Sequence, residues 1–108
     1  MDEDELRVYR MKANILKALA HPIRLAIVDL LKGGEQCVCD IAEHVGSERS
    51  NVSRHLSVLL KAGVLQSRKD GLKVRYSLRL PCVTDFLACA TRALREHMEA
   101  TRALLKRL

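Results

Sequence analysis

Two cysteines separated by a single residue, Cys37-Val38-Cys39, offer this chain its most reactive chemistry. A thiolate is a soft ligand, so such a pair selects soft or borderline ions and leaves Mg(II) and Ca(II) aside. The remaining cysteines are Cys82 and Cys89. In the reducing cytoplasm, the expected location, these residues bind metals, sense oxidants or lie inert in the core rather than forming structural disulfides. No Ser-His-Asp arrangement, phosphate-cradling loop or pair of catalytic carboxylates accompanies them. The Cys-x-Cys spacing also departs from the Cys-x-x-Cys of thiol oxidoreductases. An enzyme is not expected.

A second group of residues suits nucleic acid. In "RSNVSRHL" the residues Arg49, Ser50, Asn51, Ser53 and Arg54 turn outward if Val52, Leu56 and Leu59 face a core at helical spacing. Arg can pair bidentately with guanine and Asn with adenine, while Ser can bind bases or phosphate. His55 falls about 60° from the inward face, a half-buried position compatible with packing, a phosphate or a base. Arg68, Lys69, Lys73 and Arg75 cluster around Asp70-Gly71, where cations suit phosphates, which position a protein without reading sequence. The net charge of +6 and pI near 9.5 favour a polyanionic partner. An aromatic content of 3% disfavours a base-stacking platform for single strands.

These groups need a scaffold, and the 108 residues are one domain's length with a modest core. Leu6, Tyr9, Leu16 and Leu19 recur at helical spacing over residues 5–20. His21-Pro22 ends that helix and starts another, "PIRLAIVDLLK", which Gly33-Gly34 closes. Residues 40–62 read as a helix-turn-helix: a short helix from Asp40 to Val45, a break at Gly46, then a helix from Glu48 to Ala62 capped by Ser47. Over 64–79 the period changes to two, with Asp70-Gly71 as a hairpin signal between two strands. There Leu72, Val74, Tyr76 and Leu78 define a packed face and Lys73, Arg75, Ser77 and Arg79 a polar one.

Pro81 opens a last helix over 82–106. Its apolar stripe at Val83, Leu87, Ala90, Leu94 and Met98 is too long for so small a domain to cover, which points to a homodimer. The expected fold is mainly α with a small β-hairpin wing, in the order α-α-α-α-β-β-α, one winged helix-turn-helix domain over residues 1–108. No apolar run approaches the roughly 18 residues of a membrane span and no signal peptide is visible, so no membrane partner is expected.

The segments "LKALAHPIRLAIVDLL", "CVCDIAEHVG", "SNVSRHLSVLLKAGVL" and "RKDGLKVRYSL" together resemble the ArsR/SmtB family of metal-responsive repressors, over residues 12 to 80. The resemblance implies a two-fold dimer through the first and last helices, bound to an imperfect palindrome of double-stranded operator DNA. Half-sites would then lie one helical turn, about 34 Å, apart. At "CVCD" the likeness is greatest to the arsenite and antimonite sensors and next to the Cd/Pb/Zn sensors. As(III) or Sb(III) at Cys37 and Cys39 is therefore the expected inducer, with Cd(II), Pb(II) or Zn(II) as alternatives.

Two departures from the family's pattern narrow the choice. The N-terminal "MDEDELRVYRMKAN" has no cysteine to complete a four-thiolate site. The last helix has Asp85 and His97, but Leu87 stands where the family's zinc site there needs a further His.

Cys37 takes the N-cap place of the first helix of the pair, where Ser or Thr is usual, so a preferred cap has been given up. Residues two apart in a regular helix point about 200° away from each other and cannot share an ion, so chelation requires a distorted helix start. Cys82 and Cys89, about 10 Å apart along one helix, cannot both ligate one ion there. Either could supply a third sulfur, or both could be buried at the interface. Rival readings are oxidation or persulfidation of the thiols as the signal, or a cytosolic soft-metal-binding protein without DNA binding.

Overall fold

The computed structural model describes residues 1–108, with eight elements: α1 (Glu3–Leu19), α2 (Pro22–Leu31), β1 (Gln36–Cys37), α3 (Val38–Val45), α4 (Arg49–Lys61), β2 (Leu65–Asp70), β3 (Lys73–Leu78) and α5 (Cys82–Leu105). This is the expected winged helix-turn-helix with one addition. The two-residue strand β1 precedes α3, so the order is α-α-β-α-α-β-β-α and the wing is a three-stranded antiparallel sheet, ordered β1-β3-β2. None of its helices is long and apolar enough to cross a membrane.

Local chemistry sets the helix ends. Asp2 caps α1, accepting the Glu5 N–H at 2.8 Å, and Glu3, Asp4 and Glu5 complement the positive end of the helix dipole. His21 caps α2 with Nδ1 accepting the Ile23 N–H at 3.1 Å, and Pro22 begins the helix without losing a hydrogen bond. Gly46 ends α3 in the left-handed region at φ 67°, and Ser47 N–H turns back to the Ala42 carbonyl at 3.1 Å.

That closure displaces the expected cap of α4. Ser47 lies one residue before the N-cap, and its Oγ accepts from Asn51 Nδ2 at 2.8 Å. Glu48 takes the N-cap place without a side-chain bond.

The hairpin register pairs Asp70 with Lys73, Arg68 with Arg75 and Leu65 with Leu78. The loop is therefore Gly71-Leu72, one residue later than the expected Asp70-Gly71. Gly71, at φ 65°, supplies the positive φ that the first position of a tight II′-type turn requires. Leu72 consequently leaves the packed face and is fully exposed, and Val74 beside it is exposed too. Only the inner end of the sheet packs as expected, through Leu65, Tyr76 and Leu78.

The core gathers Ile27, Val28 and Leu31 of α2, Ile41 of α3, Val52, Leu56 and Leu59 of α4, and Val64 and Leu65 after it. Burying each such side chain stabilises the fold by about 1.5–3 kcal/mol. Only 14 of 108 residues are buried, and the terminal helices contribute just Ala18, Leu19 and Val83. Phe86, Leu94, Met98, Leu104 and Leu105 of α5 stand exposed, as do Val8, Tyr9, Met11 and Leu16 of α1. The radius of gyration is 17.3 Å, against about 13 Å for a compact domain of this length. A single chain thus leaves two apolar helix faces uncovered.

Candidate functional site

Cys37 is the last residue of β1 and the N-cap of α3, so its backbone is extended, at φ −84° and ψ 164°, while Cys39 sits in the first helical turn. The 200° separation of two helical residues does not apply across this junction, because only one of the pair is helical. Cys37 is buried and Cys39 half-buried. The Cys37 Sγ makes no capping bond to the helix. It donates to Asp40 Oδ2 at 3.2 Å, a thiol-to-carboxylate contact in the place where a serine hydroxyl would accept a backbone N–H.

Cys82 and Cys89 are exposed on α5. Within one chain no three His, Cys, Asp or Glu side chains converge on a common metal position, so neither α5 cysteine completes a site with Cys37 and Cys39 there.

The exposed face of α4 presents Arg49, Ser50, Ser53 and Arg54, with Asn51 half-buried. Asn51 is engaged at both ends of its amide, donating to Ser47 and accepting from Arg54 Nη2 at 3.0 Å. One N–H and one lone pair remain for a further partner. His55 is half-buried, as its helical angle implies, and its ring lies 4.4 Å from that of His21. Burial, and then the neighbouring His21, Arg24 and Arg54, hold its pKa below the ordinary histidine value.

The wing cations divide into two kinds. Arg68 donates to both oxygens of Glu35 at 2.8 Å each, and Arg75 donates from Nε to Asp70 Oδ2 at 2.7 Å. Each pair lowers its carboxyl pKa and raises that of its arginine, chiefly through the hydrogen bond. Lys69 and Lys73 form no ion pair. The faces divide them as well: Lys73 shares its side with Arg68 and Arg75, whereas Lys69 pairs with Val74 on the opposite side.

Sequence reasoning missed Glu35, Asp70, His21 and Arg24 as members of this surface. The acidic residue two before Cys37 and the one at the hairpin tip were visible signals for the first two. Their partners depend on a register that the unseen strand β1 sets, with Cys37 opposite Arg75 and Gln36 opposite Tyr76.

Residues 21–67, from the cap of α2 into β2, match the sequence profile of the bacterial regulatory proteins of the arsR family. Over 102 residues the chain is 37% identical to an uncharacterised HTH-type transcriptional regulator of Mycobacterium tuberculosis, covering 94% of this chain and 90% of that one. It is also 37% identical over 79 residues to the arsenical resistance operon repressor of Staphylococcus aureus, covering 73% and 76% of the two chains. Among solved structures, the homodimeric winged helix-turn-helix DNA-binding domain of a possible ArsR-family regulator from Mycobacterium bovis superimposes with a TM-score of 0.81, at 29% identity and 93% coverage of each chain.

Proposed function

Since the chain belongs to the ArsR family of bacterial regulatory proteins, we propose that it is a homodimeric repressor that binds palindromic operator DNA and releases it when Cys37 and Cys39 capture As(III) or Sb(III). The observation that carries this reading is the junction of β1 and α3. It places one thiol in extended backbone and the next in a helical turn, directly ahead of the helix-turn-helix and in register with Arg75 of the wing. The resemblance of this chain to an arsenical resistance repressor supports the choice of ion.

The donor set fits a three-coordinate ion better than zinc. Two sulfurs leave a pyramidal site one ligand short and a tetrahedral site two short. The third sulfur comes from Cys82 or Cys89 of the second protomer, or from a solvent thiol.

On capture Cys37 gives up its proton and with it the bond to Asp40, since a thiolate cannot donate to a carboxylate. The first turn of α3 then moves relative to β1, and α4 and the wing move with it. A ligand that lifts repression must bind the DNA-free conformation more tightly, and a coupling of about 1–3 kcal/mol corresponds to a 5–150-fold loss of DNA affinity.

In the bound state the exposed face of α4 reads base edges from the major groove while the wing cations hold phosphates. The uncovered faces of α1 and α5 pack on a second copy, as the homodimeric Mycobacterium bovis domain supports. With about six phosphate contacts per dimer, log affinity falls with log salt at a slope near −5.

A second reading keeps the DNA function and changes the signal to thiol oxidation or persulfidation. It is favoured by the lack of a third donor beside the pair within one chain. Adding arsenite, Cd(II), Pb(II) and Zn(II) in turn under strong reductant, then peroxide or polysulfide without it, to the protein on its own promoter fragment separates these readings. Release by arsenite under reductant supports the first. Release by the oxidants alone supports the second.

A further inference from the structure

Where α2 begins beside α4, a cleft of about 320 Å³ is lined by His21, Arg24, Asn51, Arg54, His55 and Val58. Every ionisable group on its walls is an arginine or a histidine. A neighbouring cleft shares Arg24 and Val58 with it and adds Lys17 and Lys61, again without a carboxylate. Two wing arginines are matched, Arg68 by Glu35 and Arg75 by Asp70, whereas the cations of these clefts, like Lys69 and Lys73, form no ion pair.

Arg24 carries the argument further. Its Nε is buried and has no hydrogen-bond partner. A buried, unsatisfied donor on a charged group is costly, and native structures complete most such donors. With Nε closed to solvent, the two Nη groups, which make no hydrogen bond either, are the part of the guanidinium that can donate to oxygens of a phosphate or carboxylate.

His21 adds a second donor. Its Nδ1 is spent accepting the Ile23 N–H, which leaves the ring proton on Nε2. Its ring stacks at a tilt on His55, and Arg54, steadied by Asn51, closes the outer side. The cleft therefore opens beside the same Asn51 and Arg54 that stand on the outward face of α4.

We propose that His21, Arg24, Arg54 and His55 form a phosphate seat that takes a backbone phosphate of the DNA beside the bases that α4 reads, and so fixes how α4 lies in the groove. This assignment rests on the DNA-binding reading above. The depressed pKa of His55 is consistent with it: the surrounding positive charge disfavours its proton, and an arriving phosphodiester reverses that field.

The test compares wild type, Arg24→Gln and Arg24→Lys on an operator duplex and on a scrambled duplex of equal length, from 50 to 200 mM salt. Histidine ring resonances are followed in parallel with inorganic phosphate alone. Expected for Arg24→Gln is a weakening by the same factor on both duplexes, with a log–log salt slope shallower by about one per protomer. Arg24→Lys, which keeps the charge, retains most of the slope and controls for folding.

A slope unchanged in Arg24→Gln, or a loss confined to the operator, overturns the proposal. Saturable His21 and His55 shifts with inorganic phosphate alongside an unchanged slope would assign the seat to a free anion and overturn its DNA role. Wild type that binds neither duplex contradicts the DNA-binding reading itself, and the seat as proposed falls with it.

Discussion

Glu35 and Arg68 are joined in a two-pronged ion pair, with Nε donating to Oε2 and Nη2 to Oε1 at 2.8 Å each. The contact ties the residue two before Cys37 to β2, across the intervening strand β3. Both side chains are substantially exposed, so salt and water screen the pair and it contributes little to stability. Its consequence is elsewhere: a wing arginine proposed to meet phosphate is held by a carboxylate on the segment that carries the thiol.

Replacing Glu35 with Gln therefore tightens operator binding and leaves the unfolding midpoint nearly unchanged. If the freed Arg68 takes up a phosphate, the log–log salt slope steepens by about 0.9 per protomer. Anisotropy titrations across salt check this. Weaker binding by Glu35→Gln would mean that the pair positions Arg68 for DNA rather than withholding it.

The core and the terminal helices respond differently to truncation. Leu56, 1% exposed within α4, is a cavity site, and Leu56→Ala costs about 2–5 kcal/mol in urea unfolding. Met98, exposed on α5, lies outside the core of one chain. Met98→Asp keeps the single-chain fold and shifts sedimentation equilibrium toward monomer, with a parallel loss of operator affinity. A Met98→Asp protein that remains dimeric would place the interface elsewhere.

His55 gives the fold an acid sensitivity whose direction is fixed. Its folded pKa is depressed, by burial first and then by His21, Arg24 and Arg54. The unfolded chain thus takes up the proton more readily than the folded one near the ordinary value of about 6.5. The stabilisation is complete above that pH and is lost as pH falls through the lower folded value. The titratable and charged groups facing it are His21 and Arg24 from α2 and its cap and Arg54 from α4, with no carboxylate among them. Thermal unfolding between pH 7.5 and 5.5, above the range where Glu35 and Asp70 titrate, should show wild type declining and His55→Gln declining less.

The helices and their inward faces were legible because apolar residues repeat at a period that sequence displays directly, as Val52, Leu56 and Leu59 do. The cap role of Cys37 was legible too, since the residue type at a helix start is a local property. What escaped was set by pairing. A two-residue strand such as β1 has no period to read and exists only through its bonds to β3. Without it the contacts of Glu35 with Arg68 and of Cys37 with Arg75 were out of view. The start of α4 was misplaced by one residue because Ser47, a good cap by type, spends its N–H on Ala42 and its Oγ on Asn51.

The most direct test of thiol sensing is an arsenite titration of operator complexes made with wild type, Cys37→Ser and Cys39→Ser. Both variants are expected to bind the operator as wild type does and to stay bound at doses where wild type loses about 5–150-fold in affinity. Release of both single variants at the wild-type dose would contradict the assignment of Cys37 and Cys39 as the sensor.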